Sequence, residues 1–215
     1  FRVTWDAEAA EKGGFEHFML KEIYEQPKSV QDTLRGRISE DGTKIVLPEL
    51  SWTPEEFKKF KKIFIVACGT AYHAGPVEVD IASEFRYRDP IIGEDCLLIV
   101  VSQSGETSDT LEALKEAKRR GAKTMAVTNV VGSSIAREAD QVVYTYAGPE
   151  IAVASTKAYT TQLIVMLLLS LYISQLTGTL TPERIKELID GVRTIPEQMH
   201  VILDHVDPIK VFATN

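Results

Sequence analysis

The sequence predicts an α/β protein in which helices cover both faces of a parallel sheet. Apolar strand patterns alternate with amphipathic helical patterns between residues 63 and 146, an order typical of parallel βαβ units. Residues 97–101 form an unbroken apolar run, as expected of a strand that is buried on both faces. A chain of 215 residues is also long enough to bury a substantial core.

Residues 1–52 are predicted to form a helical linker without a sheet of its own. The apolar side chains of its first helix recur at helical spacing: Phe15, Phe18, Met19 and Ile23. This stripe predicts an amphipathic helix over residues 16–26, with the stripe buried. Pro27 is suited to begin a second helix. Both helices need a larger body to pack against.

The second predicted unit, residues 53–215, begins with Thr53, Pro54 and Glu56, the signature of a helix N-terminus. The lysine-rich run that follows is interpreted as a solvated face. The predicted strands are residues 63–68, 77–81, 97–101, 124–128 and 142–146. The predicted helices that follow the third strand are residues 107–120, a short one ending at 139, one from about 157 to 176, and two from 181 that are separated at Pro196.

The net charge, the cysteines and the longest apolar run limit the kinds of partner and of cellular location to expect. The formal charge of −7 argues against nucleic acid or an anionic membrane as a partner. Cys68 and Cys96 both lie in or beside apolar strands, so we expect reduced core thiols in a cytoplasmic protein. The longest apolar run, residues 163–173, is shorter than the roughly 20 residues that span a bilayer. We expect a buried helix, covered by this chain's own helices or by a second copy.

Polar residues cluster directly after the third predicted strand, at the start of a helix. Hydroxyls come from Ser102, Ser104 and Thr107, an amide comes from Gln103, and Gly105 allows close approach of the backbone. A helix start at a strand end attracts anions. Without lysine or arginine, this loop would hold a phosphate by hydrogen bonds. The alternative is that Ser104 or Thr107 only caps the helix.

Two further strand ends carry candidate ligand contacts, namely Thr70 and residues 153–155. Together with the first loop they suit a phosphorylated sugar, with its phosphate at the helix start. Motifs for ATP or dinucleotide binding are missing from the sequence, and the histidines lack metal-ligand spacing. We therefore expect no cofactor and no metal.

Several separate motifs in this order resemble one known family. They are CGTAYH at 68–73, SQSGET at 102–107 and EIAVASTKAYTTQ at 150–162, preceded by WDAEAAEKGG at 5–14 and KEIYEQP at 21–27. The chain resembles the first SIS (sugar isomerase) domain of the isomerising glutamine–fructose-6-phosphate aminotransferases, with the linker that follows their glutaminase domain. The resemblance runs nearly from end to end.

The resemblance implies a three-layer αβα sandwich with a five-stranded parallel sheet, and fructose 6-phosphate as ligand. The implied phosphate contacts are Ser102, Gln103, Ser104 and Thr107. The implied sugar contacts are Thr70, Val153 and Ser155. Ala71 stands where the family often has serine, which removes one hydroxyl.

The resemblance also implies the partners and the reaction. The family makes glucosamine 6-phosphate with a glutaminase domain and a second SIS domain, which carry the catalytic groups, so no residue here is assigned a catalytic role. We expect this chain to bind the sugar phosphate without completing the reaction, and to form a homodimer. The alternatives are a sugar-phosphate-sensing SIS module and a deglycase-type SIS enzyme. Release of ammonia from glutamine would separate the aminotransferase from both.

The connection between the first two strands is short. If these strands are parallel neighbours, their crossover needs roughly a dozen residues or more. Only residues 69–76 separate them, and part of that stretch belongs to the ligand loop. We therefore predict that a crossover helix is missing between Gly75 and Pro76.

Overall fold

The fold is taken from a computed structural model that describes residues 11–68 and 78–214. The strands are β1 (Lys62–Ala67), β2 (Glu78–Ile81), β3 (Cys96–Ser102), β4 (Lys123–Thr128) and β5 (Gln141–Tyr144). The helices are α1 (Phe18–Tyr24), α2 (Gln26–Leu34), α3 (Pro54–Phe57), α4 (Ala82–Phe85), α5 (Ser108–Arg119), α6 (Ser134–Glu138), α7 (Lys157–Thr177), α8 (Pro182–Leu203) and α9 (Asp207–Thr214).

The five strands form one sheet in the order β2-β1-β3-β4-β5, and every neighbouring pair is parallel. All seven residues of β3 are buried, because strands flank it on both sides and helices cover both of its faces. β2 lies at one edge of the sheet and β5 at the other. The predicted five-stranded parallel sheet is therefore confirmed.

Successive side chains along each strand point to opposite faces of the sheet and pack into two separate hydrophobic cores. One face presents residues such as Ile65, Ile99 and Met125 to α2, α3, α7 and α8. The other face presents residues such as Val66 and Val100 to α4, α5 and α6. Each core has helices on one side and the sheet on the other, so the predicted three-layer αβα sandwich is confirmed.

The N-terminal segment packs on the sheet, although not by the predicted stripe. The first predicted helix is confirmed as α1, which is shorter at both ends than residues 16–26, but the predicted burial of its apolar stripe is wrong. Met19 is 42% exposed, whereas Lys21 and Glu22 are buried. Hydrogen bonds and ion pairs made by these charged side chains turn this face of α1 inward, which hydrophobic periodicity does not register. The second helix, with Pro27 in its first turn, is confirmed.

Arg37 connects this segment to the end of β5. Its side chain is 2% exposed. One nitrogen, Nη2, donates to Glu49 Oε1 and to the Tyr144 carbonyl, both at 2.6 Å. Nη1 donates to the Thr33 carbonyl at 3.2 Å. The guanidinium therefore satisfies groups on three stretches of chain that meet beside the sheet.

The division of the chain into a linker, residues 1–52, and a second unit, residues 53–215, remains a prediction.

The apolar helix α7 packs in the core as predicted. Most of its residues from 157 to 171 are buried, while Leu163 and Leu167 remain 39% and 36% exposed on one face. Among the described residues α7 alone has the length and hydropathy of a membrane span. Its burial among α2, α3, α8 and the sheet is that of a core helix.

Two of the predicted helix and strand limits differ from the structure for reasons that the structure shows. The break expected at Pro196 is wrong, because Pro196 lies inside α8. Proline removes one helical hydrogen bond there, but Ile189, Val192 and Pro196 are buried together, and this packing holds the helix continuous. The strand predicted to reach Tyr146 ends at Tyr144, since Tyr146 has a φ of 53°, which is incompatible with an extended strand.

The structure confirms that β1 and β2 are parallel neighbours, with Phe64 opposite Glu78. The predicted loss of a crossover helix depends on this pairing. Ten residues, 68–77, lie between the two strands. The predicted discontinuity at Gly75 and Pro76 lies outside the described residues. So do Thr70 and Ala71.

Candidate functional site

The candidate site lies at the carboxyl ends of β1 and β3, the point where the strand order of the sheet changes direction. β1 and β3 are neighbours, β2 lies beyond β1, and β4 and β5 lie beyond β3. The strand order therefore changes direction between β1 and β3, and the carboxyl ends of two such strands are the usual binding position in such sheets. A cleft of about 240 Å³ lies there.

The described residues that line this cleft come from the end of β3, three loops and α7. They are Cys68, Val101, Ser102, Gln103, Ser104, Thr107, Glu150, Ala152, Val153, Ser155 and Gln162. Six of the seven predicted contacts are brought together here. The seventh, Thr70, lies outside the described residues.

Hydroxyl groups organise the loop between β3 and α5. Ser102 Oγ lies 3.1 Å from Thr107 Oγ1 and accepts a hydrogen bond from the Gly105 N–H at 3.1 Å. The Ser104 hydroxyl accepts from the Glu106 N–H at 3.2 Å. Thr107 is the N-cap residue of α5, yet its side chain makes no capping hydrogen bond. Simple capping therefore does not account for the hydroxyl of Thr107.

Close packing fixes the course of the same loop at Gly105. This residue has a φ of +66°, and a Cβ built on it would lie 2.0 Å from Ser133 Oγ. The Gly105 carbonyl accepts a hydrogen bond from Ile135 N at 2.9 Å. The loop is thereby held against the start of α6, with its backbone too close to Ser133 for any side chain at this position.

The opposite side of the cleft is the loop before α7. Glu150 accepts hydrogen bonds from Ser155 Oγ at 3.0 Å, Thr156 N at 2.8 Å and Ala158 N at 3.1 Å. Its carboxylate therefore satisfies N–H groups at the α7 start, a favourable position for negative charge. Val153 is fully exposed at the tip of this loop.

Sequence reasoning missed several of the lining residues. Cys68 was interpreted as a core thiol, but it is half-buried and borders the cleft. Glu150 could have been found from its position just ahead of a helix, where acidic residues are favoured. Gln162 gave no comparable signal, since a buried amide in an apolar helix has no distinctive spacing.

The lining is almost entirely neutral. Glu150 is the one charged residue among the described residues of the cleft, and none of them is lysine or arginine. No group of three or more potential metal ligands occurs in the part of the chain that the structure describes. The arrangement can bind a phosphate and hydroxyl groups through hydrogen bonds.

Two depressions of larger volume do not have this character. One is lined by charged side chains of α5 and α6, such as Glu112 and Lys115, which pair with each other at 2.9 Å. The other lies between α2 and α8. Neither lies at the carboxyl ends of the strands, so the smaller cleft is the better candidate.

The carboxylate of Glu106 points from the loop to α6. Hydrogen bonds from the hydroxyl and the N–H of Ser134 hold the pKa of Glu106 below its ordinary value of 4.5. Because the folded-state pKa is depressed, this contact stabilises the fold above the ordinary pKa and is lost as the pH falls through the folded one. We expect Ser134→Ala to move the pKa of Glu106 back towards 4.5, as followed by NMR titration of the side-chain carboxyl. An unchanged titration would contradict the assigned cause.

The fold is that of an α/β domain with a hydroxyl-rich cleft at the carboxyl ends of its parallel strands, and comparison with known proteins identifies the family. Residues 56–172, more than half of the chain, match the SIS domain family. The chain belongs to the SIS domain family.

Curated proteins of one name, from several bacteria, match almost the whole of this chain. The chain is 56% identical to the glutamine–fructose-6-phosphate aminotransferase [isomerizing] of Caldanaerobacter subterraneus subsp. tengcongensis, covering 100% of this chain and 37% of the relative. It is 58% identical to the protein of the same name from Clostridium acetobutylicum, covering 99% of this chain and 37% of the relative. The chain therefore spans little more than a third of the length of these relatives.

Solved structures agree with this family. The C-terminal domain of glucosamine-fructose-6-phosphate aminotransferase from Francisella tularensis is similar with a TM-score of 0.80 and 42% identity, covering 87% of this chain and 55% of that one. A putative phosphosugar isomerase from Clostridium difficile 630 has a TM-score of 0.63 at 20% identity, covering 82% of this chain and 52% of that one. The second comparison supports the fold alone.

Proposed function

We propose that this chain is the fructose 6-phosphate-binding SIS domain of an isomerising glutamine–fructose-6-phosphate aminotransferase, the transferase that makes glucosamine 6-phosphate. The observation that carries the proposal is the convergence of two loops, one after β3 and one before α7, on one cleft whose described lining is neutral except for Glu150. The relatives at 56% and 58% identity favour this function over a sensing module or a deglycase-type enzyme.

The loop after β3 is proposed to bind the phosphate. Ser102, Gln103, Ser104 and Thr107 supply hydroxyl and amide donors at the start of α5, where the helix dipole favours an anion. The Ser102 hydroxyl accepts a hydrogen bond from the Gly105 N–H and lies within hydrogen-bond reach of the Thr107 hydroxyl. These contacts already hold the loop in place, so phosphate binding needs little rearrangement of its backbone. Val153, Ser155 and Thr70 are proposed to contact the sugar.

The rest of the enzyme supplies the chemistry in this proposal. The chain spans 37% of its curated relatives, and none of its residues is proposed to be catalytic. The proposed partners are a glutaminase domain and a second SIS domain, with residues 1–52 as the linker and residues 53–215 as the SIS domain. The proposed location is the cytoplasm.

Titration with fructose 6-phosphate, followed by backbone amide NMR shifts, tests this site. We expect the largest shifts at residues 102–107. Thr107→Val and Ser104→Ala each remove one donor to a charged group, so each should weaken binding by about 10- to 100-fold, the equivalent of about 1.5–3 kcal/mol.

Ser108→Ala is the matched control for these variants. Ser108 is exposed at the first position of α5 and does not line the cleft, so its affinity should match that of the unmodified chain. A bound anion at the lysine-rich run of residues 58–62, with no shifts in the loop after β3, would refute the assignment. In the uncut parent protein, glutamine-dependent ammonia release would exclude the sensing and deglycase alternatives.

A homodimer is also proposed, and the exposed face of α7 supports it. Leu163 and Leu167 are one helical turn apart and both remain partly in water, and a two-fold interface would cover them. We expect sedimentation equilibrium to give a dimer, and Leu167→Glu to give a monomer with unchanged circular dichroism. A monomeric unmodified chain would contradict this proposal.

A further inference from the structure

A carboxylate from the N-terminal segment reaches the loop that borders the cleft. Glu22 lies on α1 and is 2% exposed. Its Oε1 accepts hydrogen bonds from Ile151 N at 2.6 Å and Ala152 N at 3.1 Å. Ala152 lines the cleft, and Val153 and Ser155 follow it directly. The backbone on this side of the cleft is thus held by a residue 129 positions away in sequence.

The same short stretch of α1 and α2 also holds the start of α7. Lys157 Nζ, 3% exposed, pairs with Glu25 Oε2 at 2.6 Å. The Thr160 hydroxyl donates to Gln26 Oε1 at 2.6 Å. These contacts fix the helix that begins just after the loop. Polar side chains between Glu22 and Gln26 therefore hold both the loop before α7 and the start of α7 itself.

This arrangement is not ordinary core packing. The apolar Met19 on the same helix is 42% exposed, while Glu22 is buried. Burying a carboxylate is costly unless it is hydrogen-bonded, and Glu22 meets part of that cost with two backbone N–H groups. Its second oxygen, Oε2, has no hydrogen-bond partner among the described residues. A buried charge held at this cost points to a role in placing the loop.

We propose that Glu22 is a positioning residue of the sugar-phosphate site, which fixes the backbone at Ile151 and Ala152 so that Val153 and Ser155 stand at the ligand. The role rests on the proposed function of the cleft. Two charge-assisted hydrogen bonds from adjacent N–H groups define both the distance and the orientation of the loop. Val153, which is fully exposed, depends on such an anchor because it packs against little else.

Three substitutions at Glu22 and one control test this role in the 215-residue chain. Glu22→Ala removes both hydrogen bonds. Glu22→Asp keeps the charge but withdraws it by one methylene group. Glu22→Gln keeps an acceptor oxygen in place without the charge. Glu16→Ala is the control, since the side chain of Glu16 is 85% exposed.

The readouts are the amide shifts and hydrogen exchange of Ile151 and Ala152, the affinity for fructose 6-phosphate, and the melting temperature. We expect Glu22→Ala and Glu22→Asp to speed exchange at both amides and to weaken binding by about tenfold or more. Glu22→Gln should restore binding to within about threefold of the unmodified chain. If Glu22→Ala does not fold, the comparison of Glu22→Asp with Glu22→Gln decides the matter.

A purely structural role would lower the melting temperature of the Glu22 variants while leaving the affinity of the folded chain equal to that of Glu16→Ala. That result would overturn the inference. Failure of the unmodified chain to bind fructose 6-phosphate is a different outcome, since it would overturn the proposed function itself. The two failures are therefore distinguishable in one set of titrations.

Discussion

Gly105→Ala is expected to destabilise the folded chain by about 2–5 kcal/mol, the sum of left-handed backbone strain and overpacking, and to abolish measurable binding of fructose 6-phosphate. The φ of +66° is strained for alanine, and the new Cβ would lie 2.0 Å from Ser133 Oγ and 2.5 Å from Ser133 Cβ. The loop after β3 would have to move away from α6, which displaces the proposed phosphate donors. Urea denaturation and ligand titration measure the two effects.

Gly36→Ala is the matched control for this substitution. Gly36 has a similar φ of +72°, but a Cβ there would meet nothing within 4 Å. It should therefore cost only the backbone strain, roughly 1–2 kcal/mol, and leave ligand affinity unchanged. Ser133→Gly added to Gly105→Ala should recover part of the stability. Equal losses for the Gly105 and Gly36 variants would show that close packing against Ser133 is unimportant.

Arg37→Met is expected to destabilise the chain by about 3–5 kcal/mol, the usual cost of leaving a buried charge without its partner. The Glu49 carboxylate, 19% exposed, would lose its hydrogen bond to Arg37, and its Oε2 has no other partner among the described residues. The Tyr144 carbonyl would lose a donor as well. Urea denaturation measures the loss.

The matched control is Arg35→Met, two residues earlier. Arg35 pairs with Asp32 at the same 2.6 Å, but its side chain is 78% exposed, so the loss should stay within about 1 kcal/mol. The double substitution Arg37→Met with Glu49→Gln removes both charges and should be more stable than Arg37→Met alone. If Arg37→Met cost no more than Arg35→Met, burial of the pair would not matter to stability.

The sheet and the phosphate loop could be predicted from sequence because their signals are local. The apolar run of residues 97–101 indicates a strand that is buried on both faces. The serines, glycine and threonine that follow it indicate a helix start at a strand end. Six of the seven predicted contact residues consequently line one cleft. Pro196 shows the limit of a local rule, since tertiary packing keeps α8 continuous through it.

The buried charged side chains could not be predicted, because their partners are distant in sequence. Lys157 pairs with Glu25 across 132 positions, and Glu22 meets Ile151 across 129. Hydrophobic periodicity assigns charged residues to the surface by default. It therefore selected Met19 for the core and overlooked Glu22, which lies three residues later on α1. The position of a charge in the interior depends on which distant group meets it.

The described lining of the cleft contains no lysine or arginine, which has a consequence for how ligand binding depends on ionic strength. A phosphate monoester carries a charge near −2 at neutral pH, and this chain has a formal charge of −7. Sites rich in lysine or arginine lose affinity as salt screens their attraction. Here, since the described lining residues include neither, added salt would screen mainly the repulsion between chain and ligand. Selection of the sugar phosphate would then depend on the placement of hydroxyl and amide groups, and binding would persist at ionic strengths that release anions from basic pockets.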